Sequence, residues 1–465
     1  MSNVYHTMKA DITLRHLSGM EFSGENLRME EEELGDFFAL RGGRHLNEGE
    51  LKSHLLLASR LENIGVFLGA GASRSSGGML VTEVWKHFRG TNPDSLNWLL
   101  SERFIAAAEA EKTESSVNLE KLLDILGTTE REWQRLKRTK KLQSLVNHRN
   151  NLYRALLRGA ILDESLWSGL ANSIGLERLR DYRMLLTRLM ATRRPGQEAP
   201  WLFSTNYDLA IEWACESLGL QFINGFTGLH NRTFSPNNFD LGFRNMRARG
   251  EARFGSYHIY LAKLHGSLSW IPAEGFSVRE LSTEGLYDKV FRFIRAESSI
   301  QWPGLMILPN SNKYLQTTSY VLGELIRRFA EFLARPQTCL LISGYSFGDE
   351  HLNRVLLSAL QNPTLHLVLY VPEFTHKDDR QSLRPWLRSV LELQLPRVTI
   401  VGGQEQAFFS KMVERDLPEP ALLDDEHERT IRMLRILEKA AQSEIEEHEE
   451  QVPAAAAREG ADSDA

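Results

Sequence analysis

Only two cysteines, Cys215 and Cys339, occur in the 465 residues, so neither a disulfide framework nor a four-cysteine zinc site can be assembled from this chain. Both are expected to be buried thiols. No apolar run approaches the roughly 18 residues needed to cross a bilayer, and the opening stretch MSNVYHTMKADITLRH lacks the charged-then-apolar layout of a secretory signal. The expectation is a cytoplasmic protein without membrane association. An excess of positive charge is missing too. The 55 Lys and Arg against 61 Asp and Glu give a net charge of −6, which removes any global drive toward nucleic acid and leaves only local basic clusters to consider. What is present is an ordinary globular composition, 42% apolar, on a chain long enough for two or three domains.

The stretch from Asn63 to Met79, NIGVFLGAGASRSSGGM, organises the rest. Ile64, Val66, Phe67 and Leu68 suit a strand buried on both faces, and the strand stops at Gly69-Ala-Gly-Ala-Ser73. Glycines let a backbone approach a diphosphate, and a helix that follows aims free N–H groups and its positive dipole end at the same anion. An ordinary tight strand-to-helix turn is the alternative for this motif taken alone.

Three later stretches repeat the pattern of an apolar strand that delivers polar groups at its C-terminal end, where open parallel sheets hold their ligands. Trp201-Leu-Phe-Ser-Thr-Asn-Tyr-Asp208 presents Thr205, Asn206 and Asp208. His258-Ile-Tyr-Leu-Ala-Lys-Leu-His-Gly-Ser267 presents His265, followed by Gly266 and Ser267. Thr338-Cys-Leu-Leu-Ile-Ser-Gly-Tyr-Ser-Phe-Gly-Asp349 presents Gly344, Ser346 and Asp349, the last two suited either to hold a ribose or to cap the following helix. Leu365–Pro372 and Val398–Gly402 read as further strands, with Gly402 and Gly403 placed to back an adenine, and Leu305–Pro309 is also strand-like. Strands alternating with helices predict a doubly wound Rossmann-like α/β fold with a parallel sheet.

Around this core lie additions. Residues 1–55 read as an N-terminal arm for oligomerisation, partner docking or covering an edge strand, with a strand near Ile12–Leu17 and a helix over Met29–Phe38. Residues 81–195 show helical periodicity throughout and predict an insertion lobe between the first and second strands of a domain spanning 56–412. Within it, Arg131 to Arg149 is rich in Arg and Lys, either a nucleic-acid patch or a solvated helix face. Gly225–Gly255 reads as a long polar loop. Residues 413–450 contain a charged helix with an apolar stripe, and 451–465 have the composition of a disordered tail.

Taken together, GAGAS at Gly69 to Ser73, STNYD at Ser204 to Asp208, KLHGS at Lys263 to Ser267 and GYSFGD at Gly344 to Asp349 resemble the sirtuin superfamily, and more closely its bacterial NAD-consuming branch in anti-phage defence. The arm and C-terminal helix are similar to those of sirtuin-like subunits that accompany a HerA-type hexameric ATPase. The resemblance implies NAD as substrate, a homo-oligomer, and that ATPase as partner. The two CxxC pairs of deacylating sirtuins are missing, as is their Gly-Ile-Pro-Asp-Phe-Arg run, which here reads Gly78-Met-Leu-Val. Zinc and peptide deacylation are therefore not expected.

The activity the resemblance implies is hydrolysis of NAD to nicotinamide and ADP-ribose, with no metal. Asn206 is expected to orient the ribose and water, His265 to accept a proton, and Asp208 to stabilise positive charge or bind the carboxamide. Gly69, Ala70, Gly71 and Ser73 are expected to cradle the diphosphate. Thr205, Gly266, Ser267, Gly344, Ser346 and Asp349 complete the NAD-binding set. A non-catalytic NAD or ADP-ribose sensor is the alternative.

Overall fold

Short, almost wholly apolar runs set the frame: a strand covered on both faces has no polar side to show, so its sequence loses the alternation of a half-exposed strand. In the computed structural model the described residues are 37–106, 119–168, 173–193, 197–243, 258–273, 278–295, 312–375 and 383–419. In chain order, β1 (Phe38–Arg41) and β2 (Arg44–Leu46) form a hairpin that leads into α1 (Glu48–Ala58) and β3 (Asn63–Leu68). The glycine turn continues as a 3-10 helix (Ala70–Ser76). Then come α2 (Val81–Thr91), α3 (Pro93–Ser101), α4 (Leu119–Arg135), α5 (Thr139–Ala160), α6 (Ser173–Arg178) and α7 (Arg180–Ala191). Next are β4 (Trp201–Ser204), α8 (Ala210–Ser217), β5 (Gln221–Ile223), β6 (Phe226–Thr227), β7 (Arg232–Phe234), β8 (His258–Lys263), β9 (Trp270–Pro272) and β10 (Val278–Glu280). The remainder is α9 (Thr283–Ile294), α10 (Asn312–Ala334), β11 (Thr338–Ser343), α11 (Glu350–Ala359), β12 (Leu365–Tyr370), α12 (Pro385–Glu392) and β13 (Val398–Gly402), closed by helical turns over Phe409–Lys411 and Met412–Asp416.

Nine strands form one sheet in the order β2-β1-β13-β12-β11-β3-β4-β8-β5. From β13 to β5 every pairing is parallel, and β1 alone runs against the rest, antiparallel to both β13 and β2. This is a mixed α/β, Rossmann-like architecture. All six residues of β3, of β8 and of β11 are buried, as the apolar runs require. One face of the sheet packs against α1, α7, α8 and α9 through Leu55, Leu185, Ala214 and Phe293. The other face is aromatic, with Phe67, Phe203, Phe329 and Phe332 packed together. Gly65 in mid-strand makes room for this, since a Cβ there would lie 2.7 Å from the Phe332 ring.

Helices α2 to α5 enclose a third core of their own around Trp85, Phe88, Leu123 and Leu152. The lobe is thus narrower than the helical run 81–195, because Tyr182, Leu185 and Leu189 of α7 face the main sheet. Three other expectations meet a different structure. Phe38, expected to end a helix, starts a strand, and β1 pairs with β13, so 38–46 covers a sheet edge and the boundary at 55/56 falls inside α1. The polar stretch after Gly225 contains β6 and β7, which join β9 and β10 in a second, four-stranded antiparallel sheet. Residues 409–416 are helical and pack on the main core. The expected strands at Ile12–Leu17 and Leu305–Pro309, the helix within 413–450 beyond Glu419, and the tail lie outside the described residues.

On α1, His54 packs against His366 of β12 with ring centroids 6.1 Å apart. Burial first, then the positive field of Arg41 and the neighbouring His366, lowers the His54 pKa from 6.5 to about 4. Its folded pKa lies below its unfolded value, so between about pH 6.5 and 4 the unfolded chain binds a proton that the folded chain refuses. Stability is complete above pH 6.5 and falls toward pH 4. His54→Leu is expected to remove about 2 kcal/mol of the stability lost between pH 7 and pH 4.5, read as the difference between urea unfolding free energies at the two pH values.

Candidate functional site

The order of the sheet identifies where a ligand can sit. From β3 the chain builds outward to β4, β8 and β5 on one side and to β11, β12 and β13 on the other, so the direction reverses between β3 and β11. A crevice opens at such a switch point, beyond the C-terminal strand ends. Here it is formed by Gly69-Ala-Gly-Ala-Ser73 after β3 and by Gly344 after β11. The two turns touch through the backbone: Gly69 N donates to Ser343 O at 3.0 Å and Gly71 N to Gly344 O at 2.9 Å. A Cβ on Gly69 would lie 2.5 Å from Gly344 O, and one on Gly71 2.8 Å from Gly344 Cα. Gly344, in the left-handed region with φ of 68°, would drive a Cβ into the backbone nitrogen of Ala72. The glycines are therefore needed first for one turn to pack on the other, and the Gly71 amide, expected to face a diphosphate, is committed to Gly344. Nor does a long helix follow directly, only the seven-residue 3-10 helix, turned at Gly77 with φ of 92°.

Beneath this contact lies a hydroxyl with three partners. Ser73 is 2% exposed. Its Oγ donates to Asp208 Oδ2 at 2.7 Å, accepts from Asn206 Nδ2 at 2.8 Å, and lies 2.8 Å from the Tyr182 hydroxyl. A carboxylate only accepts, so the single serine proton goes to Asp208 and Tyr182 donates to Ser73. Asn206 Nδ2 also donates to Gly69 O at 2.9 Å, which ties the end of β4 to the glycine turn. The chemistry left to that side chain is acceptance at Oδ1. The second Asp208 oxygen takes the Ala210 amide at 3.1 Å and so starts α8. Burial, and then the charge of Asp208, hold the Tyr182 phenol well above its ordinary pKa of 10, so it stays a neutral donor. Ser73 and Asp208, expected to meet ligand, are turned inward as the frame that holds Asn206.

A buried ion pair supports the next strand end. Lys263, 3% exposed, lies 3.0 Å from Glu212 Oε1 on α8. It also donates to Asp208 O and to Ser267 Oγ. Ser267 is fully buried and bonds Ser269, so it belongs to this support and not to a ligand surface. Gly266 supplies the left-handed residue of the turn, with φ of 92°. His265 is thereby raised on the exposed side of the edge, its side chain 19% exposed, with Nε2 2.9 Å from Asp349 Oδ2. Asp349 Oδ1 meanwhile accepts from the amides of His351 and Leu352, so one carboxylate caps α11 and holds the imidazole. Burial pushes the Asp349 carboxyl upward, but the His265 hydrogen bond and charge, with those two amides, outweigh it and keep it below the ordinary carboxylate value.

β8 and β11 flank β3 and β4, so the His265–Asp349 contact links strand ends on either side of the crevice. Asn206 lies between them, and Thr205 is half-buried. Ser346 is exposed on the loop after Gly344. Gly402, expected to back an adenine, would carry a Cβ into Phe374 O, so its small size serves that packing. An open groove lined by Ser75, Arg178, Asp181, Lys411 and Glu414 holds none of the expected site residues and lacks the strand-end polar groups. Ser343 Oγ, buried at the tip of β11, has no hydrogen-bond partner among the described residues. At the strand ends the amide of Asn206 and the His265–Asp349 pair form a set of hydrogen-bond donors and acceptors. No group of three or more His, Cys, Asp or Glu among the described residues is arranged to hold a metal.

Three members of the site escaped sequence reasoning: Tyr182, Lys263 and Glu212. Tyr182 sits in a helix 109 residues from Ser73, and nothing local marks it. Lys263 carried a signal, a lysine inside an otherwise apolar strand, which demands a buried counter-charge.

Residues 200–390 match the family model for a SIR2-like domain. No curated protein matches the chain. The match runs from β4 into α12 and contains Asn206, Asp208, His265 and Asp349, while the glycine turn lies outside it and joins through its place in the sheet. It supports a sirtuin-like superfamily member with NAD-dependent chemistry in the broad sense.

The pinch between the turns gives a paired test. Gly344→Ala is expected to destabilise the protein by more than about 1 kcal/mol, because the left-handed φ and the Ala72 backbone both oppose a side chain. Gly323→Ala on α10, where a Cβ meets nothing within 4 Å, is expected to stabilise by about 0.5–1 kcal/mol through helix propensity. Thermal unfolding of the two variants checks the opposite signs.

Proposed function

Starting from a SIR2-like domain whose strand ends meet over a glycine turn, we propose that the chain hydrolyses the bond between nicotinamide and ribose in NAD. The observation that carries this reading is the joint placement of Asn206 on the Ser73–Asp208 frame and of His265 on Asp349 at neighbouring strand ends. Nicotinamide in NAD is already cationic and leaves without a strong acid. The difficulty is the positive charge that develops on the ribose, which nearby carboxylates and fixed dipoles stabilise. Asp208 contributes through its charge from below. Asn206 Oδ1 orients the water or a ribose hydroxyl, and His265 accepts the proton. Asp349 fixes the His265 ring. The diphosphate falls to the backbone around Ala70, with Thr205 and Ser346 at the rim.

The resemblance to bacterial NAD-consuming effectors extends the proposal: the chain depletes NAD during infection. Such an activity is lethal unless it is low at rest, so assembly into a homo-oligomer, or with a HerA-type ATPase, is the switch. A sensor of NAD or ADP-ribose is the second reading, and the inward commitment of Ser73 and Asp208 favours it. The missing cysteine pairs count against peptide deacylation.

His265→Ala is expected to lower nicotinamide release about a hundredfold to ten-thousandfold while NAD still binds. The measurement is nicotinamide by chromatography beside NAD binding by calorimetry. Release at the wild-type rate by the variant would discard the His265 role. Binding without any release by the wild type, alone or assembled, would establish the sensor instead.

A further inference from the structure

The tip of the α4–α5 hairpin carries positive charge that forms no ion pair among the described residues, and we propose that it binds the phosphodiester backbone of nucleic acid without reading sequence. This inference is independent of the NAD site. Two helices of the lobe end in the same way. At the end of α3, Phe104 N donates to Leu99 O at 2.9 Å and Arg103 N to Leu100 O at 3.1 Å. At the end of α4, Arg138 N donates to Trp133 O at 2.9 Å and Lys137 N to Gln134 O at 3.1 Å. Each is a Schellman ending, whose left-handed residue is usually glycine because a Cβ there costs about 1 kcal/mol. Here the residues are Arg103, with φ of 61°, and Lys137, with φ of 54°. The two turns occupy one end of the lobe, since Lys141 Nζ lies 2.9 Å from Glu102 Oε2.

The cations of this region divide into those that form ion pairs among the described residues and those that do not. Arg149 is buried and pairs with Glu130, Arg135 with Glu132, and Lys141 with Glu102. Arg103, Lys137, Arg138 and Lys140 are exposed, and none of them forms an ion pair among the described residues. A helix C-terminus welcomes cations, which accounts for Arg103 and Lys137. It does not account for Arg138 and Lys140. They stand at the N-terminus of α5, a 22-residue helix with no capping side chain and no acid in its first turn. There the dipole repels positive charge, and a bound anion relieves both the dipole and the cations.

The aromatic groups decide what kind of anion. Trp133 is buried beneath Lys141, and Trp98 stacks between Phe104 and His148 at 5.3 and 4.6 Å. All are engaged in the lobe, so no ring is offered to stack on bases, and contact is limited to phosphates. Leu136 is the one exposed large apolar residue at the turn, too little to insert into a lipid surface.

The test measures binding of the full-length protein to a fluorescent 30-base-pair duplex and to one of its strands between 50 and 200 mM salt. The quadruple variant Arg103→Gly, Lys137→Gly, Arg138→Gln and Lys140→Gln removes the charge and relieves the two left-handed positions, so its thermal stability is expected to be retained. A control carries Lys52→Gln, Lys86→Gln, Lys289→Gln and Arg354→Gln, an equal charge change at exposed positions elsewhere. Four phosphate contacts predict a wild-type log–log salt slope of about −3.6 on the duplex. The tip variant is expected to bind at least about thirtyfold more weakly at 50 mM salt while the control stays within about threefold. Nicotinamide release is expected to be unchanged in both. Three results would overturn the proposal: no wild-type binding at 50 mM salt, equal loss in the tip and control variants, or tip-dependent binding that is tighter to phosphatidylserine vesicles than to duplex.

Discussion

The backbone contact between the turns after β3 and β11 is the constraint on which the site depends. Gly71 N reaches Gly344 O at 2.9 Å only because neither residue carries a side chain. That approach seats Ser73 beneath the end of β4, within 2.8 Å of Asn206 and Tyr182 and 2.7 Å of Asp208. Separate the turns by the thickness of a methyl group and the hydroxyl no longer meets three partners at once. Each partner is buried, so each would then leave a polar atom unsatisfied at a cost of about 1–3 kcal/mol. Geometry at the crevice is thus enforced by a network that has no good partial solution.

Much of this was legible in the residues, for stated physical reasons. Strands buried on both faces announce themselves as unbroken apolar runs, and β3, β4, β8, β11, β12 and β13 all lie where such runs fall. Polar residues just past those runs mark the C-terminal edge, which is why Asn206, His265 and Asp349 could be named together. Roles were harder. A glycine that admits a phosphate and a glycine that admits another turn look identical in sequence, and here Gly69, Gly71 and Gly344 serve the second purpose. Ser73 and Ser267 are both polar and both past a strand end, yet their burial directs them inward. Burial is a property of neighbours far along the chain, such as Tyr182 and Lys263, and no local pattern contains it. β1, only four residues long, begins at Phe38, the last residue of the stretch expected to be helical, and its pairing with β13 is a contact no local pattern contains.

The network divides into two layers of different polarity. The lower one, Tyr182, Ser73, Asp208, Lys263 and Glu212, is almost fully buried, and its hydrogen bonds are made within the protein. The Lys263–Glu212 pair within it does not by itself argue for stability, since taking both ions from water offsets most of their attraction. Its effect is positional: Lys263 ties Asp208 O and Ser267 Oγ to one point, so β4 and β8 end in fixed register. The upper layer is His265 and Asp349, each side chain 19% exposed, joined by a single hydrogen bond.

The proposed chemistry at the strand ends draws on that division. In the proposed hydrolysis the group that accepts a proton exchanges it with water, and His265 combines partial exposure with a carboxylate holding its ring. A group that must stabilise positive charge is stronger for being dry, because the field of a carboxylate falls less steeply where water does not screen it, and Asp208 is 6% exposed. Asn206 stands between the layers, its amide hydrogens anchored below on Gly69 and Ser73 and its oxygen available above. A fixed acceptor between a dry negative charge and a hydrated base can hold a water molecule while positive charge develops beside it. The same anchoring explains why the amide cannot turn to present its hydrogens instead: doing so would place two oxygens, Asn206 Oδ1 and Gly69 O, against each other in the buried layer.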